Sequence, residues 1–248
     1  MNQVKVILFL ILLYYTQPVF SQELIHVDSI PKNYSTFQVG GIGSLDICFR
    51  TLENKQRESS IDNIIASKNA SETVKFGYHA GLSFGIQMTK NFGMEVGIIY
   101  SNRGYETKLT DYIYAVPDPT LPTKGRSIYN YNFIDIPIKA NFFAGKGKIR
   151  FYASVGIITN LLVAQNETFV KKYQDGRTEY DVFTTNYPLE KVVFSGTLAA
   201  GIDYKINKSM SLRLAPNFSH NFGRFANEPL SVYLWNVGFS ANFYYGWD

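Results

Sequence analysis

Eight stretches of this 248-residue chain alternate apolar and polar side chains with a period of two. Consecutive side chains of a strand point to opposite faces, so each stretch specifies a ribbon with one greasy side and one polar side. The expected strands are 36–49, 73–89, 94–100, 128–144, 149–163, 192–205, 210–218 and 233–245. In the second, Val74, Phe76, Tyr78, Leu82, Phe84, Ile86 and Met88 share a face opposite Lys75, Gly77, His79, Gly81, Ser83 and Gly85. The connections alternate in length. Those at 89–93, 144–148 and 206–209 are short, and those at 50–72, 109–127, 166–190 and 220–230 are long and polar. An even number of long strands with tight turns at one end and long loops at the other is the layout of a transmembrane β-barrel.

Alternation alone also suits a soluble barrel with its apolar face inward. Three features decide between the two. The polar faces are built of small residues such as Gly81, Gly85, Ser154, Gly156, Ser195, Gly201 and Ser240, which suit a narrow lumen better than a solvated exterior. The alternation of short turns and long loops separates a cell-exterior rim from a periplasmic one. Aromatics gather toward strand ends: Phe92, Tyr100, Tyr105, Tyr129, Tyr131, Phe142, Phe143, Phe151, Tyr204, Phe243, Tyr244, Tyr245 and Trp247. We expect these to form two girdles at the headgroup levels. The fold expected is therefore all-β, an eight-stranded antiparallel up-and-down transmembrane barrel with short periplasmic turns and long extracellular loops. In lipid only helices and closed barrels pair every backbone group.

The N-terminus reads as an export signal. Lys5 supplies the positive charge, "VILFLILLYY" the apolar core, and Val19 and Ser21 the small-residue cleavage pattern. The expected organisation is a signal peptide at 1–21, a periplasmic leader at 22–35 and the barrel at 36–248. Cys48 is the one cysteine, so no internal disulfide framework exists. It falls within a strand and reads as a small buried filler. In the first long loop, 59–69 predicts a short helix capped by Ser60, with Ile61, Ile64 and Ile65 along one face.

The inward face would hold a polar network of Asp46, Lys75, His79, Glu95, Asp135, Lys139, Arg150, Asp203, Lys205 and Arg213. Both signs are present, which favours ion pairing over a one-signed selectivity path. Eight strands enclose a space that side chains can fill, so little or no open pore is expected. The fourth strand contains Pro137 between Asp135 and Lys139. Proline has no N–H to give a ladder. A bulge or local break is expected there, with the orphaned carbonyl served by a lumenal side chain or water.

The segment "YNFIDIPIKANFF" (131–143), through Tyr131, Asp135, Ile136 and Pro137 with Lys139 close behind, resembles the PorT-like outer-membrane β-barrel proteins of Bacteroidota. "FQVGGIGSLD" (37–46) is similar to that family's glycine-rich first strand, and "FYASVGIITNLLV" (151–163) to its fifth. The resemblance implies a barrel fold and a place in the outer membrane of a Gram-negative cell. Some relatives work in a secretion and gliding apparatus, but the motifs mark a fold and no chemistry.

For function, the residues favour a structural or interaction role through the extracellular loops, where Tyr112, Tyr114, Tyr173, Tyr180 and Tyr187 could make an adhesive rim. A small passive porin is the alternative. A lipid-modifying enzyme, or a part of a secretion or gliding apparatus, is a further one. We expect no enzyme: the mature histidines are His26, His79 and His220, and Ser219 beside His220 points to the opposite face of its strand. No metal or cofactor is expected, since no two histidines share a hairpin. The net charge of +4 carries no basic block suited to nucleic acid. The partners expected are outer-membrane lipid and proteins met by the loops, with the barrel itself a monomer.

Overall fold

The computed structural model describes residues 36–116, 118–185, 187–226 and 230–247. The expected signal peptide, the leader and His26 lie outside the described residues.

Eight long strands close into a ring. They are β1 (Thr36–Glu53), β3 (Lys75–Gln87), β4 (Phe92–Thr107), β6 (Lys124–Ala144), β7 (Ile149–Lys172), β9 (Val192–Lys205), β10 (Met210–Asn221) and β11 (Ser231–Trp247). The order is β4-β3-β1-β11-β10-β9-β7-β6, and a β4–β6 pairing joins the ends. Every pairing is antiparallel, and β1 closes on β11 in continuous register from Phe37↔Trp247 to Glu53↔Ser231. Closure leaves no barrel edge, the condition for putting a sheet in hydrocarbon.

Alternation sets which side chain goes where. On β1, Ile42, Ser44, Asp46, Cys48 and Arg50 are buried, whereas Phe37, Val39, Leu45 and Ile47 are exposed. The same holds around the ring, with Phe76, Leu82, Ile98, Ile138, Ile157, Phe194, Leu198 and Phe239 facing out. In water this surface would be a large aggregation liability. On β1 it runs from Phe37 to Phe49. At about 3.3 Å per residue and a tilt near 45° that is roughly 28 Å of depth, close to the ~25 Å apolar band of such barrels.

Several strands run beyond their expected ends. β7 continues to Lys172 and pairs with an extra strand, β8 (Thr178–Thr184), so most of the expected loop at 166–190 is a hairpin standing above the wall. Short β2 (Glu72–Thr73) and β5 (Thr110–Asp111) pair with the upper ends of β4 and β6. These parts extend past the apolar band of the wall, and charged residues such as Glu167, Lys171, Glu179 and Asp181 interrupt there the alternation that marks a membrane strand. The helix, α1 (Ser59–Ser71), starts from an N-cap at Glu58 without a side-chain cap, and not from Ser60. Ile61 is its buried residue, while Ile64 is exposed.

Pro137 makes no bulge. On the β7 side its ladder is unbroken, through Ile136↔Thr159, Pro137↔Ile158 and Ile138↔Ile157. On the β4 side pairing stops at Val96↔Ile138 and resumes at Ile99↔Asp135 without a register shift. The missing N–H therefore costs one local gap, facing Gly97. The outward-facing Pro216 leaves the same kind of gap against β9, between Leu214↔Ile202 and Asn217↔Ala199. The bulge of β6 and β7 lies higher, between Asn132 and Phe133.

Candidate functional site

The interior is the candidate site, and it closes in two places by different chemistry. Near the short turns lies a knot of charges. Glu95 on β4 is 1% exposed. Its Oε2 accepts from Arg213 Nη1 (3.2 Å), Asn141 Nδ2 (3.1 Å) and the Tyr244 hydroxyl (2.9 Å). Lys139 Nζ sits 2.6 Å from Oε1 as an ion pair. Arg213 also donates from Nε to Asp203 Oδ1 (3.1 Å) and from Nη2 to Gln38 Oε1 (2.7 Å), and lies 3.8 Å over the Tyr244 ring. Arg150 donates from Nε and Nη2 to Asp203 Oδ2, at 3.0 and 2.7 Å.

Strands β4 and β10 are four apart in either direction round the ring, so the Glu95–Arg213 contact joins opposite walls. Buried charges are costly unless paired and hydrogen-bonded. Here three cations and two carboxylates satisfy one another across the bore. Small residues make room for them: a Cβ on Gly156 would lie 2.7 Å from Lys139 Cγ.

The middle of the interior carries a second polar set. The Asp46 carboxylate accepts from Ser44 Oγ (2.7 Å) and meets His79 Nδ1 at 2.8 Å. A Cβ on Gly238 would come within 1.8 Å of Asp46 Oδ1, so the carboxylate occupies the space that glycine leaves. Asp135 pairs with Arg103 and accepts from Asn160 Nδ2 at 2.6 Å. The Ser195 hydroxyl lies between Asn160 and Asn221. Lys75 donates to Asn102, which donates to Asn132 at 2.7 Å. Between these groups is a cavity of about 60 Å³, lined among others by His79, Arg103, Asp135, Pro137 and Lys139. That is room for a few waters, not for a continuous path.

Toward the long loops the bore is filled by apolar side chains. Tyr131, Phe133, Val193, Phe225 and Leu234 form a buried cluster, with Tyr105, Tyr129, Leu162 and Leu189 packed against it. Phe225 comes from the last loop and folds into the mouth. Its ring lies 4.7 Å from Tyr131 and 5.6 Å from Phe133, and its amide and carbonyl bond to Val232 and Glu190. Above the cluster a cleft of about 770 Å³ opens among the loops, lined by Lys68, Glu72, Tyr105, Tyr129 and Tyr187. On the β7–β8 hairpin, the bond from Tyr173 to Glu179 (2.6 Å) pushes the phenol above its ordinary pKa.

Asp46, Lys75, His79, Glu95, Asp135, Lys139, Arg150, Asp203 and Arg213 all lie on the inner wall, in separate knots and not one continuous network. Lys205 departs from the expectation. It is exposed at the end of β9, where the strand leaves the wall for its turn. Five girdle aromatics also depart from it: Tyr105, Tyr129, Tyr131, Phe143 and Tyr244 face inward. The parity was readable in "FF" and "YY", because one of two adjacent aromatics must point in. The outer girdle near the short turns is Phe37, Phe84 and Trp247, with ring centroids 5.9–6.5 Å apart, and Phe92 with Phe142 at 5.3 Å. Arg103, the partner of Asp135, escaped sequence reasoning because it lies past the expected end of its strand. Ser219 is buried and His220 stacks outward on Tyr233, so the two side chains face apart. Among the described residues no three His, Cys, Asp or Glu side chains converge as a metal site.

A closed ring of eight long strands with a lipid-facing apolar band and a polar interior defines an outer-membrane β-barrel. The chain belongs to the outer membrane protein beta-barrel domain family, whose model matches residues 20–224. No curated protein matches it in sequence. Among solved structures it is similar to Neisserial surface protein A, at 9% identity and a TM-score of 0.41, covering 83% of this chain and 95% of that one. It is also similar to the outer membrane protein OprG from Pseudomonas aeruginosa, at 12% identity and a TM-score of 0.39 over 87% and 97%. A further likeness is to the outer membrane protease OmpT from Escherichia coli, at 8% identity and a TM-score of 0.36 over 92% and 100%.

Proposed function

We propose that this barrel is a non-conducting outer-membrane scaffold that acts through its extracellular loops. The observation that carries the reading is the Glu95–Arg213 pair, which bridges opposite walls and is saturated by Lys139, Asn141 and Tyr244. A solute passing the bore would have to break that knot and then displace the Phe225 cluster. What remains accessible is the loop end: the cleft of about 770 Å³ and the exposed Tyr180, Val182 and Phe183 of the β7–β8 hairpin. Exposed aromatic and aliphatic side chains rimmed by charges suit a protein partner. The test is swelling of proteoliposomes in isotonic sugar. This reading expects no swelling above empty liposomes, and uptake of a monosaccharide at porin-like rates would replace it with a passive channel.

We further infer that the chain is exported by the signal at 1–21 and falls in the PorT-like branch of Bacteroidota, on the strength of Tyr131, Asp135, Ile136 and Pro137. Mass spectrometry of the mature N-terminus should find Gln22; a chain beginning at Met1 would count against the signal. Alignment with PorT-like chains should place Pro137 in their Ile-Pro column.

A further inference from the structure

The three short turns and the residue leading into the last of them carry Lys90, Lys146, Lys148, Lys205 and Lys208, and no Asp or Glu falls within 88–91, 144–148 or 205–209. All five lysines are exposed. At the extracellular rim basic side chains pair with acids: Lys124 with Asp111, Arg126 with Glu106, Lys171 with Asp181 and Arg177 with Glu179. A net charge of only +4 therefore hides a strong asymmetry along the barrel axis.

The basic turns surround a cup of about 580 Å³ lined by Gln87, Lys90, Lys146, Arg150 and Lys205, with no acid in its lining. Arg150 forms a fixed part of the wall. It is 7% exposed and held by Asp203 and by the Lys90 carbonyl (3.2 Å). Those bonds use three of its five N–H donors. Asp203 is wholly buried and already shared with Arg213, so its charge does not offset the lysines at the rim. Like charges gathered at one mouth repel, and a concave site lined by one sign of charge draws in the opposite one.

The level of this mouth points to the counter-charge. The exposed rings of Phe37, Phe84, Trp247 and Phe142, with the half-buried Phe92, sit on the outer wall beside the same turns. Aromatic side chains of this kind mark the boundary between hydrocarbon and headgroups. Flexible lysines one turn below them reach the depth of lipid phosphates, and Lys ammoniums and an Arg guanidinium are suited to phosphate oxygens.

We infer that the periplasmic mouth is a phosphate-binding collar that takes the headgroups of anionic phospholipids in the inner leaflet and so fixes the depth of the barrel in the bilayer. This holds whether or not the bore conducts. The test uses the full mature chain reconstituted in nanodiscs of phosphatidylcholine with phosphatidylglycerol, and native mass spectrometry to count lipids retained after detergent release. The wild type should retain phosphatidylglycerol over phosphatidylcholine by about tenfold. K146Q/K205Q/K208Q should lose that preference, and K55Q/K108Q/K191Q at the other rim should keep it. Heat-modifiable gel mobility checks that each variant is folded. Should the first triple variant misfold, salt titration of the wild type decides: retention of phosphatidylglycerol must fall steadily with ionic strength. Equal retention of both lipids, or equal loss in both triple variants, overturns the proposal. Full displacement by millimolar inorganic phosphate overturns the lipid assignment in favour of a soluble phosphate site.

Discussion

The two closures of the bore differ in kind. The periplasmic one is a knot of ions, Glu95, Arg213, Lys139, Asp203 and Arg150, whose members come from walls that face each other. The extracellular one is a packed apolar cluster whose centre, Phe225, is inserted from a loop. Between them lies the small cavity of the middle layer, about 60 Å³. The difference teaches where each plug gets its strength. An ion knot tolerates a narrow bore because long side chains span it, but loss of one member leaves the others charged and dry. An aromatic plug depends on volume and on the loop that delivers it.

Breaking the ion knot should have the largest effect. Glu95→Ala leaves Arg213 and Lys139 without their shared carboxylate, and a broken buried pair costs about 3–5 kcal/mol. Urea unfolding in detergent micelles should show a loss of that size, and Glu95→Gln a smaller one. Phe225→Ala should follow, at about 3 kcal/mol for a buried ring left as a cavity. Because the loop can partly collapse, its clearer signature is easier proteolysis within 222–232, which Glu95→Ala should not share. If both variants open the same protease sites, the two closures are one cooperative unit and the contrast between them fails.

Smaller changes sharpen the contrast. Gly238→Ala pushes a methyl into the Asp46 carboxylate and should cost about 1–3 kcal/mol as overpacking. His79→Ala removes one of the two hydrogen-bond partners of Asp46 and should cost about 1–2 kcal/mol. Pro137→Ala restores an N–H where the β4–β6 ladder has its gap, and should shift stability by less than about 1 kcal/mol in either direction. Slow exchange of the amide introduced by that substitution would show that the N–H completes the ladder. Rapid exchange would show that the gap is set by the geometry opposite Gly97.

The ion knot was legible in the sequence, and most of the aromatic plug was not. Glu95, Lys139, Arg150, Asp203 and Arg213 are in phase with the small inward residues of their strands, so parity alone places them. The same parity places Tyr131, Phe143 and Tyr244 inside, but an aromatic near a strand end also fits a girdle, and composition favours the girdle. Phe225 follows no period, because a loop residue has no face until the loop folds. Lys205 shows the opposite limit: it has the right parity, yet the strand leaves the wall beside it. The bulge opposite Asn132 and Phe133 puts its extra residue, Val163, on β7, so the alternation of β6 carries no mark of it, whereas Pro137 marks its gap plainly.

A bore shut twice passes no ions, and single-channel recording in planar bilayers reads this. Purified wild type should give a quiet baseline across the usable voltage range, and Glu95→Ala/Phe225→Ala should give small ohmic steps. Stable, repeatable steps from the folded wild type would contradict it.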